Sequence, residues 1–197
     1  MSEPNAHMLV AIGASWGGLE VLRSILRDLP VGLNAAVVIA QHRSPESHPT
    51  AMRDLLGAVT RLHVVEAGDK DELRSGTAYI AAPDYHLLIE PGLMTLSTDE
   101  PVSYARPSID VLFETAAESY RERCIGVVLT GANDDGARGL ARVVELGGTA
   151  IVQDPEDARR DEMPRAALRT TPSARVAAVA EIAPLIVDLC GLARVTL

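Results

Sequence analysis

The sequence predicts an α/β fold, with a doubly wound, mostly parallel sheet, helices on both faces of that sheet and an antiparallel hairpin insertion. Short, continuous apolar runs recur along the 197 residues, and most are followed by a segment whose apolar residues lie three or four apart. Continuous apolar strands that alternate with helices are typical of parallel sheets covered on both faces. Only the middle of the chain breaks this alternation, with short runs separated by Pro-Asp and Pro-Gly turns, which indicates the hairpin.

The first part of the chain contains two strand–helix units and the start of a third. Residues 8–12 are an apolar run that ends at Gly13, and residues 17–29 have the apolar spacing of a helix. Pro30 and Gly32 follow that helix and end it. A second strand, a short helix and a third strand are then predicted over residues 35–40, 50–56 and 62–65.

The middle and the last part of the chain differ in pattern. The middle is predicted to form an antiparallel hairpin or meander from three short segments, at residues 77–81, 86–90 and 94–97. Strand–helix alternation then returns, with helices predicted at residues 108–120, 136–146 and 180–190 and strands at residues 124–129 and 149–152. Because no linker-like stretch interrupts the pattern, residues 1–197 are predicted to form a single domain.

Composition and charge exclude several classes of function. The chain has 18 basic and 27 acidic residues and a formal charge of −9, which argues against nucleic-acid binding. No apolar run reaches the ~18 residues of a membrane span, and no signal peptide is evident. We therefore expect a cytoplasmic protein that is not embedded in a membrane. Cys124 and Cys190 are expected to stay reduced and buried, and the five histidines lack the spacing of a metal site.

The turn after the first strand carries the first candidate for chemistry. Gly13, Ser15 and Gly17 have the G-x-S-x-G spacing of a nucleophile elbow, in which small residues let the chain turn sharply and hold a serine hydroxyl at the start of a helix. Two alternatives stay open at this point. Ser15 could simply cap the following helix, and a dinucleotide site is a second alternative, although the spacing misses the G-x-G-x-x-G pattern.

Two further strand ends supply the groups that a nucleophilic serine needs. His42 follows the second strand and is a candidate general base. Asp135 lies in the loop after the strand at 124–129, and its carboxylate could orient the imidazole and stabilise its charged form. The alternative is that Asp134 and Asp135 merely cap the helix predicted from residue 136. Because ligands bind beyond the carboxyl ends of parallel strands, the three groups are expected at one edge of the sheet.

A series of ordered motifs extends these observations along nearly the whole chain. They occupy residues 12–18, 38–42, 81–86, 106–113, 128–131, 135–136, 153–155 and 163–167. With these motifs the sequence resembles the catalytic domain of CheB-type protein-glutamate methylesterases. That family has a doubly wound α/β fold with an antiparallel hairpin, in agreement with the pattern above.

The resemblance implies an activity and assigns roles to residues. Ser15 takes the place of the nucleophile, His42 that of the base, and Asp135 rather than Asp134 completes the triad. The family hydrolyses γ-glutamyl methyl esters on the cytoplasmic helices of methyl-accepting chemoreceptors, some members deamidate glutamine there, and no cofactor or metal is needed. The family's receiver domain has no counterpart here, so control by a separate response-regulator partner is expected. The alternative function is a catalytically weak CheB-like binding or signalling module.

Three departures from the family pattern affect the predicted site. Trp16 stands where threonine usually follows the nucleophile, Ala132-Asn133 replaces a Met-Gly pair, and Asp84 replaces a glycine. Trp16 and Ala132 are expected to take part in oxyanion or substrate binding, so the departures bear on substrate choice and rate. The predicted triad itself is unchanged.

Overall fold

The computed structural model describes residues 6–43 and 50–191. Its strands are β1 (Met8–Ala14), β2 (Ala35–Gln41), β3 (His63–Glu66), β4 (Thr77–Ile80), β5 (His86–Glu90), β6 (Leu93–Ser97), β7 (Cys124–Val128), β8 (Thr149–Gln153) and β9 (Arg175–Ala177). Its α-helices are α1 (Gly18–Asp28), α2 (Ala51–Gly57), α3 (Ile109–Tyr120), α4 (Ala137–Glu145), α5 (Glu162–Thr170) and α6 (Val179–Cys190). None of these helices is long and apolar enough to cross a bilayer.

The main sheet has the strand order β3-β4-β2-β1-β7-β8-β9, and every neighbouring pair in it is parallel. The strands are continuously apolar because helices cover both faces. On one face, Leu9 and Ala11 of β1 pack in a cluster with α3, α4, α5 and the β5–β6 hairpin. On the other face, Val10 and Ile12 pack in a cluster with α1, α2 and α6. The predicted doubly wound architecture is confirmed.

One predicted element has a different partner from the one expected. The segment at 77–81 was expected to join an antiparallel hairpin or meander, and that prediction is wrong. β4 instead lies between β2 and β3 and is parallel to both, and only β5 and β6 form the antiparallel pair. All four residues of β4 are buried, which is the environment of an inner strand of a parallel sheet.

Two elements near the C-terminus were not predicted. α5 contains Pro164 in its first turn, where a missing amide costs no intrahelical hydrogen bond, although proline elsewhere ends a helix. β9 has only three residues, of which Arg175 and Val176 are exposed, so no apolar run marks it. Of the two, α5 follows the loop that leaves the carboxyl end of β8, at the same edge of the sheet as the candidate site.

The order of the strands determines where a ligand can bind. From β1 the chain moves to β2 on one side, and it later returns to β7 on the other side of β1. The switch in direction therefore lies between β1 and β7, and the loops that leave their carboxyl ends diverge there. Ser15 follows β1 in this crevice, and residues 129–136 follow β7.

Candidate active site

Ser15 and His42 are neighbours because β1 and β2 are in register. The last paired residues of the two strands are Ala14 and Gln41, so Ser15 and His42 are the next residues on each strand. The amide of His42 donates a 3.0 Å hydrogen bond to the carbonyl of Ala14, and the amide of Ser15 donates one of 3.0 Å to the carbonyl of Thr130. The backbone therefore holds the residue after β1 against both β2 and the loop after β7.

The turn at Ser15 leaves little room for side chains. Gly17 has φ 82°, a left-handed conformation that glycine adopts at little cost. Gly131 passes so close to Ser15 that a Cβ on it would lie 2.8 Å from the Cβ of Ser15 and would overlap the Sδ of Met163. Within the described part of the chain, Ser15 Oγ makes no hydrogen bond, and the position before α1 is Gly17, without a side-chain cap. The alternative that Ser15 caps α1 is therefore wrong.

Asp135 contacts His42 directly. The Nε2 atom of His42 lies 2.7 Å from Oδ2 of Asp135. The Asp135 side chain is fully buried, whereas 15% of the His42 side chain is exposed. The structure thus brings Ser15, His42 and Asp135 to one edge of the sheet, whereas Asp134 is exposed beside them.

Groups at the start of α3 donate three further hydrogen bonds to the Asp135 carboxylate. Ser108 Oγ donates to Oδ1 at 2.9 Å, and the amides of Ile109 and Asp110 donate at 2.7 and 3.0 Å. These amides have no partner within their own helix, so the carboxylate satisfies them and faces the positive end of the helix dipole. Asp135 therefore caps α3, and the alternative that it caps α4 is wrong.

Asp110, in the first turn of α3, caps α4 in the same way. Its Oδ1 accepts from the amides of Gly136 and Gly139 at 3.0 and 2.7 Å, which are the orphan amides of α4. Each of the two neighbouring helices is thus capped by a carboxylate from the segment that begins the other. The exchange ties the loop of Asp135 to α3 and α4, which make many contacts along their lengths.

The hydrogen bonds to Asp135 together lower its pKa by more than burial raises it. Burial alone would raise the pKa of this carboxyl, but the hydrogen bonds from His42, Asp110 and Ile109 lower the pKa below its ordinary value. The pKa of Asp110 moves the other way, since burial raises it, although the amide of Gly139 opposes the shift. Asp135 is therefore an ionised acceptor at neutral pH, and His42 Nε2 carries the proton of their hydrogen bond.

Gln41 joins the backbones of Ser15 and His42. Its side-chain Nε2 donates to the carbonyl of Ser15 at 2.8 Å and to the carbonyl of His42 at 3.0 Å. The residue is buried, and among the described residues its Oε1 has no hydrogen-bond partner. Exchange of the amide oxygen and nitrogen would set an acceptor against two carbonyls, so the observed orientation is the favourable one.

Comparisons with known proteins identify the family and agree with the fold. A sequence model of the family described as CheB methylesterase matches residues 10–186. The chain belongs to the CheB methylesterase family. A putative protein-glutamate methylesterase/protein-glutamine glutaminase of Leptospira interrogans is 44% identical over 181 residues, which are 91% of this chain and 93% of that protein. The crystal structure of the Thermotoga maritima CheB methylesterase catalytic domain superposes with a TM-score of 0.88 and 30% identity, covering 96% of this chain and 100% of that one.

Other CheB relatives are longer. Protein-glutamate methylesterase/protein-glutamine glutaminase 2 of Anaeromyxobacter dehalogenans is 38% identical over 174 residues, which are 88% of this chain and 51% of that protein. Protein-glutamate methylesterase FrzG of Myxococcus xanthus is 39% identical over 166 residues, which are 84% of this chain and 49% of that protein. The chain therefore spans about half the length of these two relatives.

The positions that depart from the CheB motifs lie at the exposed side of the site. Trp16 is 64% exposed, while its carbonyl accepts a 3.0 Å hydrogen bond from Thr130 Oγ1. Ala132 is exposed in the loop after β7. Asp84, which replaces the glycine of the motif, has φ 64°, and its carboxylate pairs with Arg106 at 2.6 Å.

A cleft opens beside His42. It has a volume of about 580 Å³, and its lining includes His42, Arg43, Asp84, Tyr104 and Arg106. The sequence predicted Ser15, His42 and Asp135 as candidates, but it indicated no role for Ser108, Gln41 or Tyr104. The Ser108 side chain accepts from the amide of Val111 at the start of α3, so a serine before a helix was the available signal.

The cysteines of the chain are buried, and their thiols are not activated. Burial raises the pKa of the Cys124 thiol to about 12 and that of the Cys190 thiol to about 11, so both stay protonated and unreactive at neutral pH. Across residues 6–43 and 50–191, no three side chains of His, Cys, Asp or Glu are grouped so that they could hold a metal ion.

Proposed function

We propose that this chain is a protein-glutamate methylesterase that uses Ser15, His42 and Asp135 as a catalytic triad. The observation that carries the proposal is the 2.7 Å contact between His42 and the buried Asp135, at the strand end directly beside Ser15. The names of the relatives support the reaction, since they are protein-glutamate methylesterases and protein-glutamine glutaminases. The proposed substrate is the γ-methyl ester of glutamate on cytoplasmic helices of a methyl-accepting chemoreceptor.

The ionised Asp135 determines which nitrogen of His42 acts as the base. Because Nε2 donates its proton to Asp135, Nδ1 keeps a lone pair and accepts the proton of Ser15 Oγ. Ser15 Oγ then attacks the ester carbonyl and forms a tetrahedral intermediate. Nδ1 returns the proton to the leaving methoxide, methanol departs, and a glutamyl ester of Ser15 remains. Water, deprotonated by the same nitrogen, hydrolyses that ester to glutamate and free Ser15.

Two backbone amides are proposed to hold the oxyanion of that intermediate. They belong to Trp16, which follows the nucleophile, and to Ala132, in the loop that passes Ser15. Neither amide donates a hydrogen bond to a backbone carbonyl within the described part of the chain, so both remain available. The amide after a nucleophilic serine has this role in other hydrolases with the same turn, and such donors act strongly in a site that excludes water.

Methanol release from a methylated chemoreceptor fragment tests the proposal. The wild-type chain is expected to release methanol, and Ser15→Ala is expected to lower the rate by at least about 10³-fold. Ser24→Ala, on α1 and outside the site, serves as the control, and circular dichroism checks that all three proteins are folded. Equal turnover by Ser15→Ala and wild type would contradict the triad. No turnover by folded wild type would favour a binding or signalling module instead.

A further inference from the structure

A tight turn stands at the rim of the cleft. Val102 and Ala105 are joined by two backbone hydrogen bonds, of 3.2 and 2.9 Å, and the two residues between them are Ser103 and Tyr104. Ser103 has φ 52° and Tyr104 has φ 60°. Positive φ at both central residues defines the type I′ turn, which strongly favours pairs such as Asn-Gly.

This turn places a bulky side chain in an unfavourable conformation without local compensation. A left-handed φ is uncommon for a residue other than glycine, asparagine or aspartate, and more so for a bulky one. Tyr104 is nevertheless fully exposed, so burial of its ring does not offset the strain. Strained residues of this kind cluster at ligand-binding sites, where the strain is part of the function.

The base of the turn is firmly anchored. The guanidinium group of Arg106 donates to the carbonyls of Thr98 and Asp99 at 2.8 and 3.0 Å and to the carboxylate of Asp84 at 2.6 Å. These contacts link the turn to the end of β6 and to the loop after β4. Tyr104 is therefore presented from a fixed position at the cleft that contains His42.

The arginine charges of the cleft are already paired, which favours its exposed aromatic ring as a contact for a substrate. Arg43 pairs with Glu66 at 3.2 Å and Arg106 pairs with Asp84 at 2.6 Å, so both arginines of the lining are already neutralised. Aromatic residues are also rare in this chain, which has four tyrosines, one tryptophan and one phenylalanine. Three of them are buried, and the exposed ones are Trp16, Tyr85 and Tyr104. Trp16 follows Ser15, and Tyr85 adjoins Asp84.

We infer that Tyr104 is a specificity-determining residue that packs its ring against the polypeptide carrying the ester. This inference rests on the proposed function and adds to it the residue that separates a protein substrate from a small ester. On this inference, a small ester reaches Ser15 without contacting Tyr104, whereas a helix that carries the ester extends across the rim of the cleft. Exposed aromatic rings that become buried in an interface contribute strongly to binding, because they bury a large area at a small entropic cost.

Two glycine substitutions in the same turn distinguish the effect of the Tyr104 ring from the effect of the backbone conformation. Tyr104→Gly removes both the ring and its strain, whereas Ser103→Gly relieves the same kind of strain and leaves the ring in place. Each protein is assayed for kcat/KM on a methylated chemoreceptor fragment and on N-acetylglutamate γ-methyl ester. Thermal unfolding is measured for both variants and is expected to occur at or above the wild-type midpoint.

For Tyr104→Gly, the ratio of protein to small-ester kcat/KM is expected to fall about tenfold, mainly through KM. For Ser103→Gly, the ratio should match that of wild type. An unchanged ratio in Tyr104→Gly would overturn the inference, and an equal fall in both variants would assign the effect to turn geometry instead. If wild type and Ser15→Ala hydrolyse the small ester equally, the proposed function fails, which is a different outcome from failure of the Tyr104 assignment.

Discussion

The Asp135–His42 pair and the loops around the mouth of the cleft are held in place by different means. The Asp135 carboxylate is buried and accepts four hydrogen bonds, from His42, Ser108 and two amides of α3. At the mouth, the carbonyl of Trp16 accepts a hydrogen bond from Thr130 Oγ1, and Tyr104 lies in the turn closed by Val102 and Ala105, while both rings are exposed. Changes at the inner pair therefore disturb both stability and chemistry, whereas changes at the mouth alter contacts with substrate at little cost in stability.

The largest effect is expected at Asp135. Asp135→Asn should lower kcat by up to about 10⁴-fold, because an amide in place of the carboxylate favours the wrong tautomer of His42. The same change should reduce the free energy of unfolding by about 2 kcal/mol, since three donors from α3 lose a charged acceptor. Methanol release and urea denaturation measure the two effects.

The neighbouring aspartate provides the matched control. Asp134→Asn removes the same charge one residue away, from an exposed side chain. It should change the free energy of unfolding by no more than about 0.5 kcal/mol and leave turnover near the wild-type rate. If Asp134→Asn were the damaging substitution and Asp135→Asn the harmless one, the contrast between the buried and the exposed carboxylate would be wrong.

The lowered pKa of Asp135 predicts how this stability depends on pH. A carboxyl whose pKa is lower in the folded state stabilises that state fully above its unfolded value, near 3.8, and the contribution is lost as the pH falls through the folded value. The difference in unfolding free energy between wild type and Asp135→Asn should therefore be full at pH 5 and shrink below about pH 4. Urea midpoints of both proteins at a series of acidic pH values provide the test. A difference that grew on acidification would show that the pKa is raised instead.

An intermediate effect is expected at Gln41, which lies between the inner pair and the mouth. Gln41→Met keeps the length of the side chain but removes the donor shared by the carbonyls of Ser15 and His42. We expect kcat to fall by about 10- to 100-fold with little change in KM, because a small displacement between the proposed nucleophile and the proposed base is costly.

Tyr79→Phe is the matched control for Gln41→Met. The Tyr79 hydroxyl also makes two hydrogen bonds to backbone, to the carbonyl of Glu72 and from the amide of Arg74, in the segment before β4. Its loss should lower stability by a similar amount, about 1 kcal/mol, and leave kcat unchanged. If the two variants lost kcat equally, the effect of Gln41 would be a general consequence of weaker folding.

Some features of the fold and of the candidate site could be predicted from the sequence, and others could not. The strand ends at Ser15 and His42 were predictable, because continuous apolar runs mark the strands before them. The partner of β4 was not, since a four-residue apolar segment between turns fits a parallel and an antiparallel strand equally. The cap that Asp135 places on α3 joins residues 26 positions apart, which no local pattern encodes. The turn at Tyr104 escaped prediction because Ser-Tyr is not a type I′ turn signal.

The smallest effect is expected at Trp16, which lies at the mouth rather than at the inner pair. Trp16→Thr restores the small hydroxyl residue of the CheB pattern after the proposed nucleophile and replaces a residue that is 64% exposed. Because that ring is mostly outside the core, the free energy of unfolding should change by no more than about 0.5 kcal/mol. An indole occupies much more volume than threonine and crowds a wide helical substrate more than a small ester. We therefore expect the ratio of receptor to small-ester kcat/KM to rise about threefold, equivalent to roughly 0.7 kcal/mol. A lower melting temperature with an unchanged ratio would mean that the ring stabilises the fold and does not meet substrate, and Trp16 would then belong with the inner, structural residues.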